Sequence, residues 1–190
     1  MTKKEQIINT ALILFYQKGL HAVGINEILT ESNVAKKTLY NYFKSKDDLI
    51  CACLSQRDTH FNEWLKSVCD KKQSIDIAVA LFDALQAWFA GQVPELGEFN
   101  GCFFINSAAE YPDPHHPIAK QCIQHKEAVF NILLNALLKT PELANDHQKA
   151  TRIAQTLLTL KEGLICQARV MHNQLMTKPT KQFLACIMTP

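Results

Sequence analysis

The run GINEILTESNVAKKTLYNYFKSKDDL, residues 24–49, leaves little freedom in how it can fold. Ile25, Ile28 and Leu29 recur at i, i+3 and i+4 and give a short helix one apolar face. Asn33 stands where that helix stops, and Asn tolerates the left-handed backbone of a helix terminus. Val34 is an apolar turn residue, and Leu39 and Phe43 give a second short helix its buried stripe. That stripe turns Lys36, Lys37, Thr38, Tyr40, Asn41 and Tyr42 largely outward. Two cations, a hydroxyl, an amide and two phenols on so short a helix suit the phosphates and base edges of DNA. Ser45 with Asp48 three residues on predicts a reciprocal cap for a third helix. Lys46 adds a positive charge at that N-terminus, where free N–H groups already favour phosphate.

The segment before this run is a single amphipathic helix. Thr2 and Glu5 have the spacing of a capping box. Ile7, Ile8, Ala11, Leu12, Leu14 and Phe15 supply an apolar face, and Gly19 ends the helix. This helix followed by VAKKTLYNYFKSKDDL resembles the DNA-binding domain of TetR/AcrR-type regulators, over residues 3–54. Gly24 and Ala35 stand where that family often has a capping Ser or Thr, Asn33 replaces a frequent Gly, and Asn26 replaces a longer basic residue. The resemblance implies a ligand-responsive transcriptional regulator, most often a repressor, that binds a double-stranded, palindromic DNA operator as a homodimer. It also implies a helical C-terminal domain that holds a small-molecule effector.

The net charge of +2 is localised. Residues 1–50 hold seven Lys against five Asp or Glu, and the other 140 residues hold thirteen Lys or Arg against thirteen Asp or Glu. A hydrophobic share of 47% with 20% charged is ordinary for a globular protein, and few breakers and few period-two alternations predict an all-α chain. Seven Cys with no C-x-x-C pair read as reduced, mostly buried thiols rather than a disulfide or zinc framework. The apolar run from Ala11 to Tyr16 is too short to span a membrane and has no cleavage site, so a cytoplasmic location with no membrane association is expected.

Beyond the DNA-binding segment, a helix from Ser45 to about Cys69 links two domains, 1–54 and 55–190, with the boundary near Leu54. Ile75 to Ala90 reads as a central helix, Gly91 to Gly101 as a loop, and GCFFINSAAEY as a short helix stopped by Pro112 and Pro114. Two long helices follow, about 116–139 and 146–172, and Pro179 begins a short closing helix to Met188. The first long helix carries two apolar lines, Ile118, Cys122, Val129, Leu133, Leu137 and Ala119, Ile123, Phe130, Leu134, Leu138. One line suits its own domain; the other suits a two-fold copy, so these two helices are expected to form the homodimer.

The expected effector site is lined by Phe61, Trp64, Trp88, Phe103 and Phe104, with Gln86 and Asn106 as the polar groups, and suits a small, mainly apolar molecule. Cys102, Glu110, His115, His116 and His125 match no zinc spacing, and no catalytic elbow or phosphate loop occurs. No metal, cofactor, catalytic residue or enzyme activity is expected. Two alternatives remain open at this point: a thiol-based redox sensor using Cys102 or Cys122, and a helical interaction module without a small-molecule ligand.

Overall fold

The computed structural model describes residues 1–71 and 73–172, and the expected closing helix from Pro179 to Met188 lies outside them. The described chain is all-helical: α1 Lys3–Lys18, α2 Ile25–Ser32, α3 Lys36–Tyr42, α4 Lys46–Cys69, α5 Ser74–Phe89, α6 Phe103–Glu110, α7 Pro117–Leu138 and α8 His147–Met171. One 3-10 turn, Pro94–Leu96, interrupts the loop after α5.

The helix ends follow from local chemistry. Thr2 accepts the N–H of Glu5 at 3.2 Å, while the Glu5 carboxylate accepts the N–H of Thr2 at 2.8 Å. Asn33 ends α2 in the left-handed region, φ 49 and ψ 45, with its N–H on the last carbonyls. Ser45 and Asp48 cap α4 reciprocally: Oγ of Ser45 accepts from Asp48 N–H at 3.0 Å, and Asp48 Oδ2 accepts from Ser45 N–H at 3.1 Å. Gly24 and Ala35 occupy the N-cap positions of α2 and α3 and make no side-chain cap bond. Those two helices rely on packing instead.

Two compact units emerge from the packing: residues 1–59 with 102–125, and residues 60–101 with the described residues from Lys126 onward. In the first unit Ile7, Val23, Ile28, Leu39, Leu49, Ile50 and Leu54 are fully buried. Each such side chain contributes about 1.5–3 kcal/mol by leaving water. Gln6 Nε2 of α1 donates to the carbonyl of Ser32 at 2.6 Å, satisfying a group that the end of α2 leaves orphaned.

These units differ from the expected division into 1–54 and 55–190, because α6 and the start of α7 pack with the first unit. Phe103 meets Tyr16 edge to face at 5.8 Å, and Phe104 stacks on His125 at 3.5 Å. His125, 2% exposed, places Nδ1 2.6 Å from Oδ1 of Asp58 on α4. Tyr111 donates to Oδ1 of Asp47 at 3.2 Å, and burial followed by that neighbouring charge pushes its phenol up to about 12. Glu110, at the end of α6, accepts the backbone N–H groups of Leu20 and His21 at 2.7 and 2.6 Å. Gly19 makes this approach possible: its φ is +95°, and a Cβ there would sit 3.2 Å from Glu110 Oε1.

The second unit is built on α5, whose Ile77, Ala78, Leu81, Phe82, Leu85 and Trp88 are buried, with α8 against it. Its interior holds a charge. Lys161 of α8 is fully buried, with Nζ 2.5 Å from Glu162 Oε1 and 5.3 Å from the centre of the Phe61 ring. Lys126 joins the same carboxylate at 2.7 Å. Burial is the largest single influence on Glu162 and favours its neutral form, yet the combined charges and hydrogen bonds of Lys161 and Lys126 hold its carboxyl below the usual range.

Candidate nucleic-acid interface

The α2–turn–α3 segment is held from beneath. Leu39 is fully buried and Phe43 and Val34 nearly so, fixing the roll of α3 about its axis. With the apolar side down, Lys36, Lys37, Tyr40, Asn41 and Tyr42 are exposed and Thr38 is half-buried. The two phenols stand 43% and 47% exposed, large rings left in water. Lys44 is exposed as well, just beyond the end of α3. Of the six residues expected on this helix, five are therefore exposed and Thr38 is half-buried.

Lys46 is set apart from them. It is the first residue of α4, half-buried, and its Nζ lies 5.9 Å from the centre of the Phe15 ring. The ammonium rests against an aromatic face beside the N–H groups of the capped terminus, an arrangement that leaves its tip able to reach an anion there. None of these lysines takes part in an ion pair among the described residues, whereas Lys18 is tied to Glu27 at 2.6 Å. The exposed cations of this segment thus stand uncompensated.

The seven residues expected around an effector fall into two groups. Phe61, Trp64 and Trp88 come together in the second unit, with centroid distances of 5.2 Å for Phe61–Trp64, 5.8 Å for Phe61–Trp88 and 6.1 Å for Trp64–Trp88. Phe89 and Phe99 extend this cluster, Phe99 meeting Trp88 at 5.0 Å. Gln86 lies half-buried on the same helix as Trp88. Phe103 and Phe104 are buried in the first unit, and Asn106 is exposed on α6. Lys161, absent from the expected set, lies over Phe61, its Nζ 5.3 Å from the ring centre. Its burial was hidden in sequence because Lys161 and Glu162 are adjacent charges on a helix, the usual pattern of a solvated face.

Glu110, His116 and His125 make contacts within the fold. Glu110 caps the start of the α1–α2 connection, His116 lies 3.5 Å from Asp47, and His125 pairs with Asp58. Cys102 and Cys122 are buried. Arg57, nearly buried, lies over the Tyr16 ring at 4.9 Å, and burial lowers its tendency to hold a proton. Among the described residues no helix is long and apolar enough to cross a membrane.

Comparison with known proteins agrees with this arrangement. The family model for bacterial regulatory proteins of the tetR family matches residues 7–53, the span of α1 to α3 and the start of α4. The HTH-type transcriptional regulator YxaF of Bacillus subtilis is 30% identical over 128 residues, 67% of this chain and 67% of the relative. An HTH-type regulator in the lacX 3′ region of Lactococcus lactis subsp. lactis is 29% identical over 165 residues, 83% of each chain. The crystal structure of SCO4454, a TetR-family transcriptional regulator from Streptomyces coelicolor, superposes with a TM-score of 0.79 at 25% identity, covering 96% of this chain and 91% of that one. The chain belongs to the TetR family of bacterial regulatory proteins and is a DNA-binding transcriptional regulator.

Proposed function

We propose that the protein is a cytoplasmic repressor that binds a palindromic operator as a homodimer and is released by a small, mainly apolar effector, with no catalytic step. The observation that carries the DNA-contact reading is the orientation of α3: Leu39 buried beneath it, and Lys36, Lys37, Tyr40, Asn41 and Tyr42 exposed on the other side. A helix so presented fits the major groove, and a two-fold dimer sets two of them about 34 Å apart. In this reading Lys37 and Asn41, at i and i+4, read base edges, and Lys46 holds a phosphate.

Apolar surface on α7 and α8 supports the dimer. The first apolar line of α7 is buried within the chain, while Ile123 of the second remains 47% exposed; on α8, Val170 and Met171 are 77% and 62% exposed. Gly163 adds to this. It sits exposed within α8, and a Cβ built on it meets no atom within 4 Å among the described residues, so none of them requires a glycine there. A closely packed second copy would.

The Phe61, Trp64 and Trp88 cluster in the second unit supports an aromatic or apolar effector. Such a molecule shifts DNA binding only through its differential affinity for the two conformational states.

Sedimentation of the wild type and Gly163→Ala tests the assembly. The wild type sediments as a dimer at micromolar concentration, and Gly163→Ala weakens that dimer even though alanine favours an isolated helix by ~1 kcal/mol. A persistent wild-type monomer removes the geometric basis for operator binding.

A further inference from the structure

In the second unit the C-terminal part of α4 and the later half of α7 enclose an open cleft of about 510 Å³, within the range of small-molecule sites. Ile132, Asn135 and Ala136 fall at i, i+3 and i+4, so one face of α7 forms one wall, continued by Lys139 just past its end. Lys66, Cys69, Asp70 and Lys71 form the other. Three exposed lysines therefore line one concavity, with Asp70 as the single carboxylate among the lining residues. Among the described residues none of these three lysines, nor Asp70, is in an ion pair. Elsewhere in the same unit the buried Lys161 and Lys126 share Glu162.

Gathering unpaired like charges in a recess is unfavourable for the protein alone, and low-dielectric walls concentrate the resulting field on whatever enters. The floor is apolar: Cys69 is 4% exposed, its thiol pushed up to about 12 by burial, so it stays neutral and behaves as a small hydrophobe. Ile132 and Ala136 are half-buried beside it.

We infer that this α4–α7 cleft is a binding site for a small amphiphilic anion, its charged head held by Lys66, Lys71 and Lys139 and its apolar part laid on Ile132, Ala136 and Cys69. The site is separate from the aromatic cluster of Phe61, Trp64 and Trp88 and from the DNA-contacting face, and its occupancy is measurable without DNA. A bare phosphate would meet the cations and leave the apolar wall in water; a neutral alcohol would do the reverse.

Calorimetric titration of the full chain with decanoate, decan-1-ol and inorganic phosphate reads these contributions separately. Decanoate binds, and the alcohol and phosphate each bind at least tenfold more weakly. In Lys66→Glu/Lys139→Glu the decanoate affinity falls at least tenfold; both side chains are exposed, so the fold is retained, as an unchanged thermal transition confirms. The inference is overturned if the wild type does not bind decanoate, if the double variant binds it as tightly, or if the alcohol or phosphate binds equally well.

Discussion

Glu110 and Leu20 are joined across 90 positions of sequence: the carboxylate at the end of α6 accepts the Leu20 backbone N–H at 2.7 Å, and its other oxygen takes His21 N–H at 2.6 Å. These are charge-assisted bonds to groups at the exit of α1, where Gly19 leaves room for the approach. Glu110→Gln keeps the shape but loses the charge and one acceptor oxygen. It should cost about 1.5–3 kcal/mol of stability. A urea titration checks this; an unchanged midpoint would show that water satisfies these amides equally well.

Acid should act through the buried charge cluster of α8. The Glu162 carboxyl is depressed in the folded state, so its contribution is fully present above the ordinary carboxylate value of 4.5 and is lost as pH falls through its lower folded value. Glu162→Gln removes that contribution at neutral pH and leaves Lys161 buried without its carboxylate, at a cost of about 3–5 kcal/mol. Denaturant midpoints measured on acidification from pH 7 should therefore converge for wild type and variant as pH falls below the ordinary carboxylate value of 4.5. A gap that persists unchanged through acid would sever the link to this carboxyl.

The missing cap of α3 predicts a gain. Ala35 has φ −66 and ψ 143, the backbone an N-cap requires, but no oxygen to accept the orphan N–H groups. Ala35→Ser should raise stability by ~1 kcal/mol, read as a higher thermal midpoint. No gain would mean that those N–H groups are already well solvated.

Local signals explain what could be read before the structure. Asn33, the Ser45–Asp48 pair and the Thr2–Glu5 box act within four residues of themselves, and each appears where its chemistry requires. The outward set on α3 followed from Leu39 and Phe43, because burying two residues of a short helix fixes the direction of the rest. The placement of 102–125 was not legible. It depends on Glu110 meeting Leu20 and on His125 meeting Asp58, pairings separated by 90 and 67 positions that carry no local spacing. The buried Lys161 escaped for a different reason: helical periodicity reports apolar faces, and a lysine whose ammonium is satisfied by Glu162 and the Phe61 ring can lie on one. Asn106 shows the converse. It was expected beside an apolar stripe and lies exposed, while Ser107, the next residue, is buried and bonded back to the Phe103 carbonyl at 2.7 Å.

The effector reading makes its own demand. Trp88 is 1% exposed within the aromatic cluster, so Trp88→Ala should abolish the thermal stabilisation that a panel of apolar aromatic compounds gives the wild type. If only polar metabolites or metal ions stabilise the wild type, the aromatic cluster is core and nothing more.

The central claim is that α3 reads sequence while the N-terminus of α4 holds the backbone. Its most direct test is a set of binding isotherms at several salt concentrations, on a duplex selected by the wild type from a random pool and on random duplex. Asn41 is exposed on α3, and Asn41→Ala should cost about 1–3 kcal/mol on the selected site and far less on random DNA. In this account Lys46, at the capped end of α4, holds a phosphate, so Lys46→Ala should weaken both duplexes alike and reduce the salt slope by about one. An equal loss on both duplexes for Asn41→Ala, or no loss for either variant, would contradict the account.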